Sequence, residues 1–294
     1  MSNLADWSCV QDAWKRWLAV TRERCHLHFK LEGDDLATHL TVCGASAGQT
    51  AARVARDIEG SSPNTILEVG CSVGFNCLAL AERFPSAHVV GIEPDVDAAR
   101  VAAAMASARD ANRVQFIHGV GEALPFKLET FDLIVCHTVI EHVQSVPRVI
   151  AEMARVLSRR GVIHLEAPNY RWPREPHLGI WCVPILGKKW MKVSAALQGK
   201  RNHLYYLDHL QLVNPNWLER LFRDNGLIWE NRVRRKILRA ASGEKDLVKE
   251  YHGMGVALRF VNTLGVVPAI ANAVIGTGVY PSVLYTARRQ ESPP

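Results

Sequence analysis

Residues 66–75 read Ile-Leu-Glu-Val-Gly-Cys-Ser-Val-Gly-Phe. An apolar run enters a turn with glycines at 70 and 74, and an apolar-periodic stretch opens directly after it. Gly70 lets the backbone turn sharply, and Gly74 lets a following helix start close to a ligand. Unpaired backbone N–H groups at such a start can meet a carboxylate. About twenty residues on, the next apolar run ends at Glu93, where a carboxylate can accept hydrogen bonds from both hydroxyls of a ribose. A glycine turn alone says little. A glycine turn after a strand, before a helix, with an acid at the next strand end, points to a nucleotide-type ligand.

The elements that must position these residues follow from periodicity. Thr65–Val69, His88–Ile92, Val114–Ile117, Leu133–Cys136 and Val162–Glu166 are short apolar runs of strand type. Phe75–Phe84, Val96–Arg109 and Val146–Leu157 between them are apolar on one face at helical spacing. Strands alternating with helices imply βαβ units, a parallel sheet and helices on both faces. The first sixty residues read as a helical N-terminal cap, with Trp14, Trp17 and Leu18, and later Leu36, Leu40, Val54 and Ile58, at helical spacing. Residues 61–294 are then one domain. Within it, 169–213 lose all period and read as an insertion after strand 5, lying over the carboxyl ends of the strands with short helices of its own. Together with the N-terminal helices it would form a lid. Asn214-Pro215 starts a helix and Asn225-Gly226 ends it. Strands are expected near Leu227–Val233 and Ser282–Ala287, with helical residues from about 244 to 275 between them.

Glu68-x-Gly70-x-x-x-Gly74, Phe131-Asp132-Leu133-Ile134-Val135, Val139-Ile140-Glu141-His142-Val143 and Ala154-Arg155-Val156-Leu157 together resemble the class I S-adenosylmethionine-dependent methyltransferases, in particular the ubiquinone- and menaquinone-pathway branch. The resemblance covers 64–168 well and 214–233 loosely. It implies a Rossmann-like, doubly wound α/β fold with a seven-stranded, mainly parallel sheet whose last strand is antiparallel. It implies S-adenosylmethionine as cofactor. The loop Gly70–Gly74, with Cys71 and Ser72, would hold the methionine part. Glu68 would order that loop or bind the amino group, and Glu93 would bind the ribose. Gly121 and Glu122 stand in the adenine-side loop. The acid that usually precedes this loop is here Val120, which moves the adenine contact to backbone or to Glu122. The usual Pro-Gly-Gly before the fifth strand is Arg159-Arg160-Gly161.

Methyl transfer from a sulfonium is an in-line displacement, so the protein mainly aligns donor and acceptor and excludes water. An oxygen acceptor can also need a general base, and histidine suits neutral pH. His137, Glu141 and His142 stand where the fourth strand ends and are the candidates, His137 also beside the cofactor. Glu141 and His142 can equally be structural, ordering the turn and capping the next helix. With His203 or His209 they could instead hold a divalent ion. Relatives that do so resemble Glu-x-x-Glu-His, and the first of those acids is here Thr138, so no metal is assigned. Asn169, Tyr170, Trp172, Trp181, Trp190, Tyr205 and Tyr206 are expected to line or cover an acceptor pocket.

The net charge of +6 is unevenly spread: residues 1–154 carry 13 basic and 19 acidic side chains, and 155–245 carry 18 and 7. Lys188, Lys189, Lys192, Lys200 and Arg201 form one basic group, and Arg232, Arg234, Arg235 and Lys236 another. These suit a phosphate-bearing or lipid-linked acceptor, or an anionic membrane surface. No named nucleic-acid module is present, so RNA is the lesser partner. Phe260–Ala287 carries no charge, but its prolines, asparagines and glycines favour a buried or surface-docked helix, with peripheral membrane contact as the alternative. Seven scattered cysteines without a Cys-x-x-Cys pair, and no apolar leader, fit a reducing cytoplasm. The expected activity is O-methylation of a small or lipid-linked metabolite. A metal-dependent RNA 2′-O-methyltransferase and a non-catalytic subunit of the same fold are the alternatives.

Overall fold

The computed structural model describes residues 7–25, 36–58, 60–201, 204–242 and 266–290. Strands β1 (Thr65–Val69), β2 (His88–Glu93), β3 (Val114–His118), β4 (Phe131–His137) and β5 (Leu157–Pro168) alternate with helices α3 (Phe75–Arg83), α4 (Val96–Ala108) and α5 (Val146–Val156). With β8 (Leu227–Asn231) and β9 (Ser282–Arg289) they form a seven-stranded sheet in the order β3-β2-β1-β4-β5-β9-β8. β1 pairs in parallel with β2 and β4, and β4 with β5. The last strand, β9, inserts antiparallel between β5 and β8. This is the expected Rossmann-like arrangement.

Local chemistry sets the boundaries. Asp95 accepts the N–H groups of Asp97 and Ala98 and so starts α4, and Ser145 does the same for α5 through Arg148. Asn214 caps α8 (Pro215–Asp224) by accepting Trp217 N–H, with Pro215 in the first turn, and Gly226 leaves it at φ 67°. β8 ends two residues earlier than expected. Asn231 Oδ1 accepts Val233 N–H at 2.9 Å, and this short cap turns the chain into a helix, α9 (Val233–Ala241), that periodicity did not reveal. The helix expected at 244–275 falls largely on 243–265, outside the described residues. Its end is α10 (Val267–Thr277).

The sheet separates two apolar layers. Ile66, Leu133, Val135 and Val162 face α1 (Ser8–Cys25), α2 (Leu36–Asp57), α3 and α4. Leu67, Ile134, Cys136, Ile163 and Leu165 face α5, α8 and the insertion. Helix α1 packs on α4 and α2 on α3. The insertion folds as a β6–β7 hairpin (Arg174–Glu175, Ile180–Trp181), a 3-10 turn (Pro184–Leu186), α6 (Lys188–Leu197) and α7 (Tyr206–His209). Among the described residues no helix is long and apolar enough to cross a membrane.

Candidate active site

The glycine turn is built as a close-packed corner. Gly70 and Cys71 donate their N–H groups to Ile92 O at 2.8 and 3.2 Å, which fastens the turn to β2. Gly70 has φ 71°, and a Cβ there would run into the Val139 side chain. Gly74 has φ 85°, and its Cβ would lie 2.7 Å from Phe116 Cζ and 2.8 Å from Ala102 Cβ. Its glycine therefore serves packing of the helix start against β3 and α4, where the sequence suggested approach to a ligand. Cys71 is buried, while Ser72 is exposed, at φ 48°.

Glu93 stands beside this turn. It accepts Ser72 N–H at 2.7 Å and Asp95 N–H at 3.0 Å, and burial pushes its pKa up. Each carboxylate oxygen keeps a lone pair, so two ribose hydroxyls can still be accepted. Glu68 is buried and accepts Asn76 Nδ2–H and the Cys77 thiol, both at 2.9 Å. Burial raises its pKa to about 7. Of its two expected roles, ordering the corner is the one these contacts embody. Gly121 lies against Val69, where a Cβ would come within 3.0 Å. Glu122 Oε1 accepts Gln144 N–H at 2.8 Å and Ser145 N–H at 3.3 Å, so this carboxylate is turned to the start of α5. An acid at a strand end, a glycine corner and a loop held close to β1 fit the ribose and methionine portions of S-adenosylmethionine.

The end of β4 separates the three catalytic candidates into two clusters. His137 belongs to the first, on the α2 side of the sheet. Its Nε2 lies 2.7 Å from His164 Nδ1, and His164 Nε2 lies 3.2 Å from Asp57 Oδ2. A carboxylate only accepts, so His164 Nε2–H donates to Asp57. With the His164 ring neutral, its Nδ1 is an acceptor and His137 Nε2–H donates to it. This leaves His137 Nδ1 with its lone pair. Burial, and then His164, push His137 well below its ordinary pKa, so the ring stays neutral. Burial would raise Asp57, but the hydrogen bond from His164 and the charge of Arg239 hold it low. Beside this chain, Glu166 is gripped by Lys236 at 2.6 Å and Arg53 at 2.5 Å. Those two cations overcome burial and hold its pKa well below the usual range. Thr138, the residue after β4, is left-handed at φ 56°, an uncommon conformation for a β-branched side chain.

Glu141 and His142 belong to the second cluster, under the insertion. Glu141 is fully buried, and neither carboxylate oxygen has a hydrogen-bond partner among the described residues. Two imidazoles face it, His142 Nε2 at 3.7 Å and His177 Nε2 at 3.8 Å. Buried Glu175 in turn holds His177 Nδ1 at 2.6 Å. Burial raises Glu141 to about 7 and lowers His142 to about 4. The ligand atoms of Glu141, His142 and His177 lie within 4.8 Å of one another. Two imidazoles and a carboxylate, one imidazole oriented by a further carboxylate, is a donor set that suits a divalent transition ion. His177 was missed in the sequence. His209, the ligand considered there, is exposed on α7, and His203 lies outside the described residues.

The aromatic residues divide. Tyr170 is buried, with a hydroxyl that has no partner among the described residues, and the Tyr206 ring lies tilted against His142 and His177. Asn169 is structural, donating to Gly278 O and accepting Arg171 N–H. Trp181, Trp190 and Tyr205 point outward, against the expectation that they line a pocket. The second basic group also splits. Arg232 and Lys236 are buried in ion pairs, and only Arg234 and Arg235 reach the surface.

Residues 67–165 match the family model described as a methyltransferase domain. The demethylmenaquinone methyltransferase of Symbiobacterium thermophilum is 32% identical over 173 residues, covering 55% of this chain and 68% of that protein. The chain belongs to the class I S-adenosylmethionine-dependent methyltransferases. The ubiquinone biosynthesis O-methyltransferase of Bartonella quintana is 29% identical over 55% of this chain and 59% of its own length. The uncharacterized methyltransferase YcgJ of Bacillus subtilis is 26% identical over 39% of this chain and 44% of its own length. The matches thus span about half of these two relatives. The crystal structure of YcgJ superposes on 84% of this methyltransferase-family chain with a TM-score of 0.51 at 17% identity, a likeness of fold.

Proposed function

We propose that the protein is an S-adenosylmethionine-dependent O-methyltransferase acting on a hydroxyl of a small or lipid-linked metabolite. The observation that carries the choice of oxygen is the Asp57–His164–His137 chain at the end of β4. When bound, S-adenosylmethionine supplies a methyl carbon already activated by its sulfonium. The Gly70–Gly74 corner and Glu93 hold and orient the donor. Asp57 fixes the tautomer of His164, His164 fixes that of His137, and His137 Nδ1 is left to take the acceptor's proton as the oxygen–carbon bond forms and the carbon–sulfur bond breaks. His137→Asn should leave S-adenosylmethionine affinity unchanged and cut S-adenosylhomocysteine release roughly 100-fold across a panel of hydroxylated acceptors. Undiminished turnover would remove His137 as the base.

A second reading is favoured by Glu141, a buried carboxylate with no hydrogen bond. In it Glu141, His142 and His177 hold a divalent ion near the acceptor, where it would neutralise a developing alkoxide. Tyr170 and Tyr206 would wall the same space. Manganese or zinc should then raise the melting temperature of the wild type and leave Glu141→Gln unmoved. An equal response of both proteins would refute the site.

A further inference from the structure

The insertion has two apolar sides, and only one is used. Met191 and Ala195 of α6 are buried against the domain. At 100° per residue, Trp190, Val193 and Leu197 fall together on a different stripe of the same helix. That stripe faces solvent: Leu197 is 82% exposed, Trp190 60% and Val193 48%. The preceding turn continues it, with Ile185 71% and Leu186 57% exposed, and Trp181 of β7 adds its ring at 59%. Large apolar side chains scattered singly on a surface need no explanation, but this run of six spans only residues 181–197, on β7, the 3-10 turn and α6 of one insertion.

The platform is braced. Gln198 Nε2–H donates to Trp181 O at 2.6 Å while its Oε1 accepts Trp181 N–H at 3.0 Å, which locks β7 to the end of α6. Lys188 Nζ donates to Asp208 O and Lys192 Nζ to Asp208 Oδ2, both at 2.7 Å, which ties α6 to α7. The apolar stripe is therefore presented by a fixed scaffold.

Its charge selects the occupant. No acidic residue stands between Glu175 and Asp208, and Lys188, Lys189, Lys192, Lys200 and Arg201 all fall in that interval. A two-fold contact with a second copy would set these cations against themselves. Lysines flanking an outward stripe of tryptophan, leucine and isoleucine instead match a bilayer carrying anionic headgroups. Tryptophan favours the headgroup level, aliphatic side chains enter the acyl boundary, and the cations stay among the phosphates.

We propose that residues 181–201 are a docking face for an anionic membrane surface, with α6 lying in the plane of the interface. The inward side of the same insertion carries His177 and Tyr206 beside Glu141, so docking would bring the candidate acceptor space to the bilayer. The docking face itself does not depend on the methyltransferase reading, and titration with S-adenosylmethionine on the same preparation keeps failure of the two apart.

The test is co-sedimentation of the full chain with phosphatidylglycerol-containing vesicles and with pure phosphatidylcholine vesicles, at low and high salt. Expected is binding to the anionic vesicles that weakens with salt and on neutral ones. The exposed double variants Ile185→Ser/Leu186→Ser and Trp190→Ser/Leu197→Ser should each weaken it by about tenfold or more. Lys189→Glu/Lys200→Glu should weaken it at least about 25-fold, at a factor of about five per cation removed. Absence of sedimentation, or affinity unchanged in all three variants, would overturn the proposal. So would concentration-dependent self-association of the wild type that the serine variants abolish, since the stripe would then be a contact between copies.

Discussion

Two clusters of histidine and carboxylate flank the end of β4, and they are opposites in how their charges are met. In the Asp57–His164–His137 chain and the adjoining Glu166–Lys236–Arg53 group, every carboxylate has a partner at 3.3 Å or less. Around Glu141 two imidazole nitrogens stand at 3.7 and 3.8 Å, and neither oxygen accepts a hydrogen bond among the described residues. Burial acts on both groups alike. In the first, Lys236 and Arg53 hold Glu166 low, and the hydrogen bond from His164 with the charge of Arg239 holds Asp57 low; in the second burial wins, lifting Glu141 to about 7. The first cluster is complete and suits orienting a base. The second leaves a buried carboxylate without a hydrogen bond among the described residues, the feature on which the metal-binding reading rests.

The comparison breaks most severely at Lys236. Lys236→Met would leave Glu166 buried with Arg53 alone, and the loss should approach about 3 kcal/mol in urea unfolding at pH 7, because removing one partner of a buried ion-pair group is costly. A loss under about 0.5 kcal/mol, the range of ordinary surface substitutions, would mean that the group is not closed as drawn.

Glu141 should behave in the opposite sense. Its folded pKa of about 7 lies above the ordinary carboxylate value of 4.5, so its contribution to stability is present below about 4.5 and is lost as pH rises through 7. Glu141→Gln in metal-free buffer should therefore come close to the wild type near pH 4.5 and exceed it by roughly 3 kcal/mol at pH 8. A glutamine variant less stable than wild type at pH 8 would show that the carboxylate has a partner after all.

How much of this was legible in sequence follows from where the partners lie. The glycine corner, Glu93 and the parallel sheet could be read because each is local: turn, acid and strand period sit within thirty residues. The partners of His137 and His142 could not. His164 and Asp57 are 107 residues apart in the chain and meet only because α2 packs beside β5. A signal was present, since His164 and Glu166 alternate on one face of the otherwise apolar stretch Val162–Ala167, and polar groups buried in such a stretch must be partnered. His177 carried a weaker one. Glu175-x-His177 forms a tight turn in which Glu175 accepts both His177 N–H and Leu178 N–H, but nothing in the chain shows that the turn folds back over β4. The basic run at 232–236 misled because α9 was not visible, and a helix buries Arg232 and Lys236 one turn apart on one side.

The central claim is that the Gly70–Gly74 corner and Glu93 form an S-adenosylmethionine site, and calorimetric titration tests it most directly. The wild type should bind S-adenosylmethionine and S-adenosylhomocysteine at micromolar concentrations, and Glu93→Ala should weaken both at least about tenfold, the worth of hydrogen bonds to a charged acceptor. No binding by a folded wild type, or equal affinity in Glu93→Ala, would contradict the account.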